Sequence, residues 1–174
     1  MTNYILYDDA AIRPHLLPFT FTRPVSEIRC GTWTLTEKWT HFLNVKPSFL
    51  TEPYLQHKFP LVTANDNVFL NGAACATQSI VDATQQLLQG EALIFNDIVI
   101  AYRSPFEVVS PQNELKLIAF NGPVTCIQRV WDIYAENGAQ IKADFAAITQ
   151  NRTSQSLTDP HTRCYAPENI FIEE

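Results

Sequence analysis

The segment Asn3-Tyr4-Ile5-Leu6-Tyr7, and after it Leu16-Leu17-Pro18-Phe19-Thr20-Phe21-Thr22-Arg23-Pro24-Val25-Ser26-Glu27-Ile28-Arg29-Cys30-Gly31, decide how this chain is read. The first piece is a short apolar strand that Asp8-Asp9 brings to an end. The second cannot be a long helix, because Pro14, Pro18 and Pro24 interrupt it. Arg13, Arg23 and Arg29 fall in this loop with the hydroxyls of Thr20, Thr22, Ser26 and Thr32. A cationic, hydroxyl-rich loop leaving the first strand of an α/β domain suits a phosphate-bearing ligand, since ligands of open α/β sheets bind beyond the carboxyl ends of the strands.

That local positive charge stands out because the chain as a whole is acidic, with a formal net charge of -6 over 174 residues. Such a balance argues against a nucleic-acid partner, which requires a broad basic surface. Apolar residues make up 46% of the chain, enough for one domain with its own core. No run approaches the roughly 18 apolar residues of a membrane-spanning helix, and Met1-Thr2-Asn3 leads directly into a strand without a signal peptide. A cytoplasmic protein with no membrane partner is expected. Cys30, Cys75, Cys126 and Cys164 are widely spaced, without metal-binding motifs, and read as reduced thiols.

Further along, Trp33, Leu35, Trp39, Phe42 and Leu43 recur at near-helical spacing over 32–43. One or two helical turns are expected over 53–59, a strand over 67–70, and a helix over 79–89 with Gly90 as its C-cap. Residues 92–95 and 98–102 flank Asn96-Asp97 as a hairpin. A strand is expected over 115–120 and an extended piece over 124–130. Two helices, or one interrupted at Asn137-Gly138, follow over 131–149. Residues 150–167 read as loop and 169–172 as a final strand. The sum is an α/β sheet sandwich.

Several residues could carry chemistry. Arginine forks suit phosphate oxygens, so Arg13, Arg23 and Arg29 are candidate clamps, or partners of Asp8, Asp9 and Glu27 in stiffening the loop. Asp8 and Asp9 could hold Mg²⁺ together with a substrate phosphate, or simply end the strand and cap the next turn. Lys38 could reach a phosphate or pair with a nearby acid. Asn71-Gly72 ends the second strand of the pattern, where it could touch a ligand or make a turn.

Leu17 through Gly31, together with Thr36-Glu37-Lys38-Trp39, resembles the start of the sugar nucleotidyltransferases found fused to a left-handed β-helix. These are similar to the bifunctional N-acetylglucosamine-1-phosphate uridyltransferase/glucosamine-1-phosphate acetyltransferase. Val68-Phe69-Leu70-Asn71-Gly72, Trp131-Asp132-Ile133 through Asp144-Phe145, and Pro167 through Glu174 fit as well. The resemblance implies an α/β, Rossmann-like three-layer nucleotidyltransferase domain over 1–174, complete or reduced. It implies a nucleoside triphosphate and a sugar 1-phosphate as partners, and Mg²⁺ as cofactor. UDP-N-acetylglucosamine is the implied product, a cell-envelope precursor. A fused β-helix acyltransferase domain and a homo-oligomer belong to the same pattern. Carried over, Arg23, Arg29 and Lys38 are the expected catalytic cations. Arg13, Thr20, Thr22, Asn71 and Gly72 are the expected substrate contacts, and Asp8 and Asp9 the metal ligands.

The chain also departs from that pattern. Asp8-Asp9-Ala10-Ala11-Ile12-Arg13 stands where a G-x-G-T-R loop is expected, and Asn71-Gly72 stands where a metal aspartate is expected. Two other functions therefore stay open: a binding module that senses a nucleotide sugar without turnover, and a structural domain serving an attached acyltransferase.

Overall fold

In a computed structural model describing residues 2–173, six strands form one mixed sheet. They are β1 (Asn3–Tyr7), β2 (Ser48–Leu50), β3 (Asn67–Asn71), β4 (Glu91–Phe95), β5 (Ile98–Ser104) and β6 (Lys116–Ala119), in the order β2-β1-β3-β5-β4-β6. β1 runs parallel to β2 and to β3, with Leu6 beside Phe49 on one side and Leu70 on the other. β5 is antiparallel to β3 and to β4, and β6 is parallel to β4. The chain leaves β1 toward β2 and later returns to β1's other side as β3. That reversal opens a crevice beyond the carboxyl end of β1.

The expected α/β class is present. Alternation along the strands sends Leu6, Val68 and Leu70 to one face, where Trp39 and Leu43 of helix α1 (Leu35–Leu43) and Ile80 and Val81 of helix α2 (Gln78–Gln85) cover them. Ile5, Phe69 and Tyr102 face the other way, where Tyr102 stacks on Phe69 at a centroid distance of 4.6 Å. Val108 and Leu115 close that second face, on either side of a helix of a single turn, α3 (Pro111–Glu114). The sandwich is thus reduced on this side.

α1 begins later than the apolar spacing predicts, because Thr34 caps it. The Thr34 hydroxyl accepts the Glu37 N–H at 3.1 Å, while Glu37 accepts the Thr34 N–H at 2.6 Å, a reciprocal capping box. α2 ends earlier than expected. Its last turn tightens to i+3 bonds from Gln86 and Leu87, and the Leu88 N–H is taken by Glu91. Gly90 is therefore no helix cap; it makes the turn into β4, its N–H bonded to the Arg103 carbonyl. The Asn96-Asp97 hairpin forms as read, with Asn96 in the left-handed region.

Two expectations fail in the C-terminal half. Residues 130–149 form one unbroken helix, α4 (Val130–Thr149), through Asn137-Gly138. A tertiary contact overrides the local cost of about 1 kcal/mol for an interior glycine: Asn137 Oδ1 accepts the Gly31 N–H at 2.8 Å. Residues 169–172 add no strand to the sheet. They form a tail on 154–155, held by Gln155 N–H to the Ile172 carbonyl at 3.0 Å and Ile172 N–H to Ser154 Oγ at 2.9 Å. β2 has only three residues and escapes any pattern test.

α4 is docked by one buried clasp. Asp144, 3% exposed, pairs with the Lys38 ammonium, itself 1% exposed. The same carboxylate accepts the Thr32 N–H at 2.8 Å and the Trp33 N–H at 3.2 Å. Gly31 has φ +88°, and a Cβ there would overlap Asp144 Oδ2 and lie 2.9 Å from the Gln140 backbone, so only glycine fits. All four cysteines are free thiols, with Cys30 and Cys75 buried. Among the described residues no helix is long and apolar enough to cross a membrane.

Asp144→Ala leaves the Lys38 ammonium buried without a partner, so a stability loss of about 3–5 kcal/mol is expected in urea unfolding. The double variant Lys38→Met/Asp144→Leu should recover the part due to the bare charge, but not the part due to the Thr32 and Trp33 N–H groups left without their acceptor. A loss below about 1 kcal/mol for Asp144→Ala, the range of an exposed pair, would show that α4 docks by other means.

Candidate functional site

A cleft of about 850 Å³ opens at the carboxyl ends of β1 and β2, facing the start of β5. Its floor is Tyr7 at the end of β1 with Asp8-Asp9 after it, with Leu50 of β2, the following Thr51, and Ile98-Val99 of β5 around it. The 107–113 segment and the start of α4, Gln128-Arg129, complete the rim. It occupies the crevice that the strand order creates.

Asp8 and Arg13 face this space but are already committed. Asp8 Oδ2 pairs with Arg13 Nη1 at 2.6 Å and accepts the Thr51 hydroxyl, and Oδ1 accepts the Val25 N–H at 2.7 Å. Burial pushes the Asp8 carboxyl above the ordinary carboxylate range, against the opposing hydrogen bonds of Thr51 and Val25 and the charge of Arg13. The Arg13 guanidinium also donates to the Thr20 carbonyl at 2.5 Å and to Tyr54 Oη at 3.2 Å, and lies 3.5 Å from Glu52. The pair therefore ties the arginine-bearing loop to both parallel strands.

Asp9 is less engaged. Its Oδ1 accepts the Ala11 N–H at 2.8 Å, and Oδ2 lies 3.4 Å from Asn71 Nδ2. Asn71 is fully buried and donates to the Val99 carbonyl at 2.9 Å, locking the end of β3 to the start of β5. The Gly72 N–H is bonded to the Tyr7 carbonyl at 2.9 Å.

Of the residues singled out from the sequence, the fold brings Asp8, Asp9 and Arg13 together at the cleft, with Asn71 packed behind Asp9. The other cations lie elsewhere. Lys38 is sealed against Asp144, outside the cleft lining. Arg29 is exposed and lies 3.3 Å from Glu37, outside the cleft lining. Arg23 and Thr22 are exposed on the loop's outer surface, and Thr20 is buried beneath it, its hydroxyl on the Arg13 carbonyl. Asn71 and Gly72 serve the backbone of the strand ends rather than the open space.

Sequence reasoning missed Arg129. It sits one residue before α4, and residues 125–127 carry it to the sheet edge by pairing with 73–75: Cys75 N–H to the Thr125 carbonyl and Ile127 N–H to the Ala73 carbonyl, both at 2.9 Å. The only local signal was Asp132 three residues on, whose carboxylate accepts the Gln128 and Arg129 N–H groups at 2.9 and 2.8 Å.

The family model described as sugar nucleotidyl transferase matches residues 4–153. The chain belongs to the sugar nucleotidyl transferase family. Family members act on nucleoside triphosphates and sugar phosphates. The fold is similar to that of a Bacillus anthracis protein provisionally assigned as a glucose-1-phosphate thymidylyltransferase, solved in complex with sucrose. That match has a TM-score of 0.51 and 10% identity, and covers 81% of this chain and 96% of that one. At that identity the likeness concerns the fold. No curated protein matches the sequence.

Burial holds the phenol and thiol protons near the floor. Burial first, and then the Asp9 charge, raises Tyr7 well above the ordinary tyrosine value; burial likewise raises Tyr102. Burial, with Asp9 and Asp132, pushes the Cys126 thiol up to about 12. The unfolded chain ionises this thiol from near pH 9, whereas the folded protein holds the proton. The resulting stabilisation is complete below pH 9 and lost as pH climbs toward 12. Urea midpoints should therefore fall between pH 9 and about 12. Cys126→Ala should make that fall shallower; an unchanged slope would refute the thiol's part in it.

Proposed function

We propose that this chain joins a nucleoside triphosphate to a sugar 1-phosphate, with UTP and N-acetylglucosamine 1-phosphate as the substrates. Membership of the family supports the reaction class, and the sequence resemblance to N-acetylglucosamine-1-phosphate uridyltransferase supports the choice of base and sugar. The observation that carries the reading is the cleft at the strand reversal, with the Asp9 carboxylate on its floor. A phosphate oxygen of the sugar 1-phosphate attacks the α-phosphorus of the triphosphate. The bond from that phosphorus to the bridging oxygen of the β-phosphate breaks, and pyrophosphate leaves.

Mg²⁺ is the cofactor this family implies. Among the described residues no three His, Cys, Asp or Glu side chains converge on a common point. Mg²⁺ commonly takes only one or two carboxylates, filling its remaining positions with phosphate oxygens and water. Asp9 fits that need through Oδ2, whereas both oxygens of Asp8 are spent on Arg13, Thr51 and Val25. When bound, the ion neutralises charge developing on the phosphate oxygens. Around it the chain's own groups position the substrates: the Asp8–Arg13 pair holds the loop, and Asn71 ties the end of β3 to the start of β5.

The engagement of Asp8 and Arg13 with each other favours a second reading, a cleft that binds a nucleotide sugar without turnover. One set of measurements separates the two. The chain is titrated with UTP and with UDP-N-acetylglucosamine, with and without Mg²⁺, and pyrophosphate release is followed with both substrates. Mg²⁺-dependent UTP binding and pyrophosphate release are expected, and Asp9→Asn should lower turnover by roughly 100-fold or more with the fold intact. Metal-independent binding of the sugar nucleotide without release would establish the sensor instead. No binding of either ligand would overturn both.

A further inference from the structure

The cleft has an imbalance of charge. Asp9, Glu52, Asp97 and Glu107 line it as acids beyond the Asp8–Arg13 pair, and Arg129 is the remaining arginine. Among the described residues, the Arg129 guanidinium has one hydrogen bond, from Nη1 to the carbonyl of its own neighbour Gln128 at 3.2 Å, and no ion pair. Arg13, the other arginine lining the cleft, is engaged by Asp8, the Thr20 carbonyl and Tyr54.

Arg129 is also held firmly. The pairing of 125–127 with 73–75 fixes the chain before it, and the 20-residue α4 fixes the chain after it. The N–H groups of Gln128 and Arg129 are occupied by Asp132, so an anion arriving here meets the side chain rather than those amides.

From this we infer that Arg129 is the phosphate anchor of the cleft. Its guanidinium fork takes two oxygens of a diphosphate or triphosphate group, a geometry for which arginine is suited. The side chain thereby supplies a cation at the edge of the sheet where the segment after β1, Asp8-Asp9-Ala10-Ala11-Ile12-Arg13, has its own arginine already paired. The assignment rests on the nucleotide-transfer reading for the identity of the anion.

The test uses the whole chain and inorganic pyrophosphate with Mg²⁺, followed by calorimetry, so that binding is read without turnover. The wild type should bind. Arg129→Gln should weaken binding at least about tenfold, the usual scale for a lost charge-assisted hydrogen bond. Arg129→Lys should recover part of the affinity. Lys142→Gln makes the same charge change on the exposed side of α4 and should leave it unchanged. Equal affinity of Arg129→Gln and wild type would overturn the assignment, as would a wild type that does not bind pyrophosphate. Equal losses in Arg129→Gln and Lys142→Gln would also overturn it, since only bulk charge would then be at work. If pyrophosphate binds through Arg129 while UTP and N-acetylglucosamine 1-phosphate yield no pyrophosphate, the anchor stands and the proposed reaction fails.

Discussion

The Asp8 carboxylate at the end of β1 is the constraint on which the candidate site depends. One side chain joins β1 to β2 through Thr51, to the loop through the Val25 N–H, and to Arg13 through a charge pair. Arg13 in turn gathers the carbonyls of Thr20 and Arg23. A loop of more than twenty residues without an α-helix would otherwise lose much of its order to chain entropy. Here buried polar groups that satisfy one another fix its path, and Ile12, Leu16, Val25 and Ile28 then close a small apolar core beneath it. The arginines that stand out in the sequence are thus divided. One builds the loop, and two are left on its surface.

Much of the sheet was legible because its signals are local. β1, β3 and the β4–β5 hairpin are apolar runs ended by Asp, Asn or an Asn-Asp turn, and the α1 periodicity is complete within one helix. What escaped was set by distant contacts. Asn137-Gly138 reads as a break until Gly31, 106 residues away, donates to the asparagine. Lys38 reads as a surface lysine until Asp144, equally distant, buries it. Burial in such a clasp leaves no trace in the spacing of either residue's neighbours.

The site was partly legible for the same reason. Asp8, Asp9 and Arg13 follow the first strand directly, so the rule that ligands bind at carboxyl strand ends points to the edge of the sheet where the cleft opens. Arg129 reaches the same edge only because a short extended segment pairs with the residues after β3. The surplus of carboxylates around the cleft has a physical consequence. A free polyanion is repelled there, whereas a triphosphate already carrying divalent cations arrives with much of its charge cancelled.

The unbroken course of α4 spans from the cleft edge at Arg129 to the clasp at Asp144. Arg129 at one end and Asp144 near the other are separated by about 22 Å of continuous helix. The helix is held at both ends, by the pairing of 125–127 with 73–75 just before it and by the clasp of Lys38 and Asp144 near its far end. The clasp and the cleft thus bear on one continuous element, and a substitution at Gly31, Lys38 or Asp144 acts on the frame that carries Arg129 rather than on the cleft's own groups.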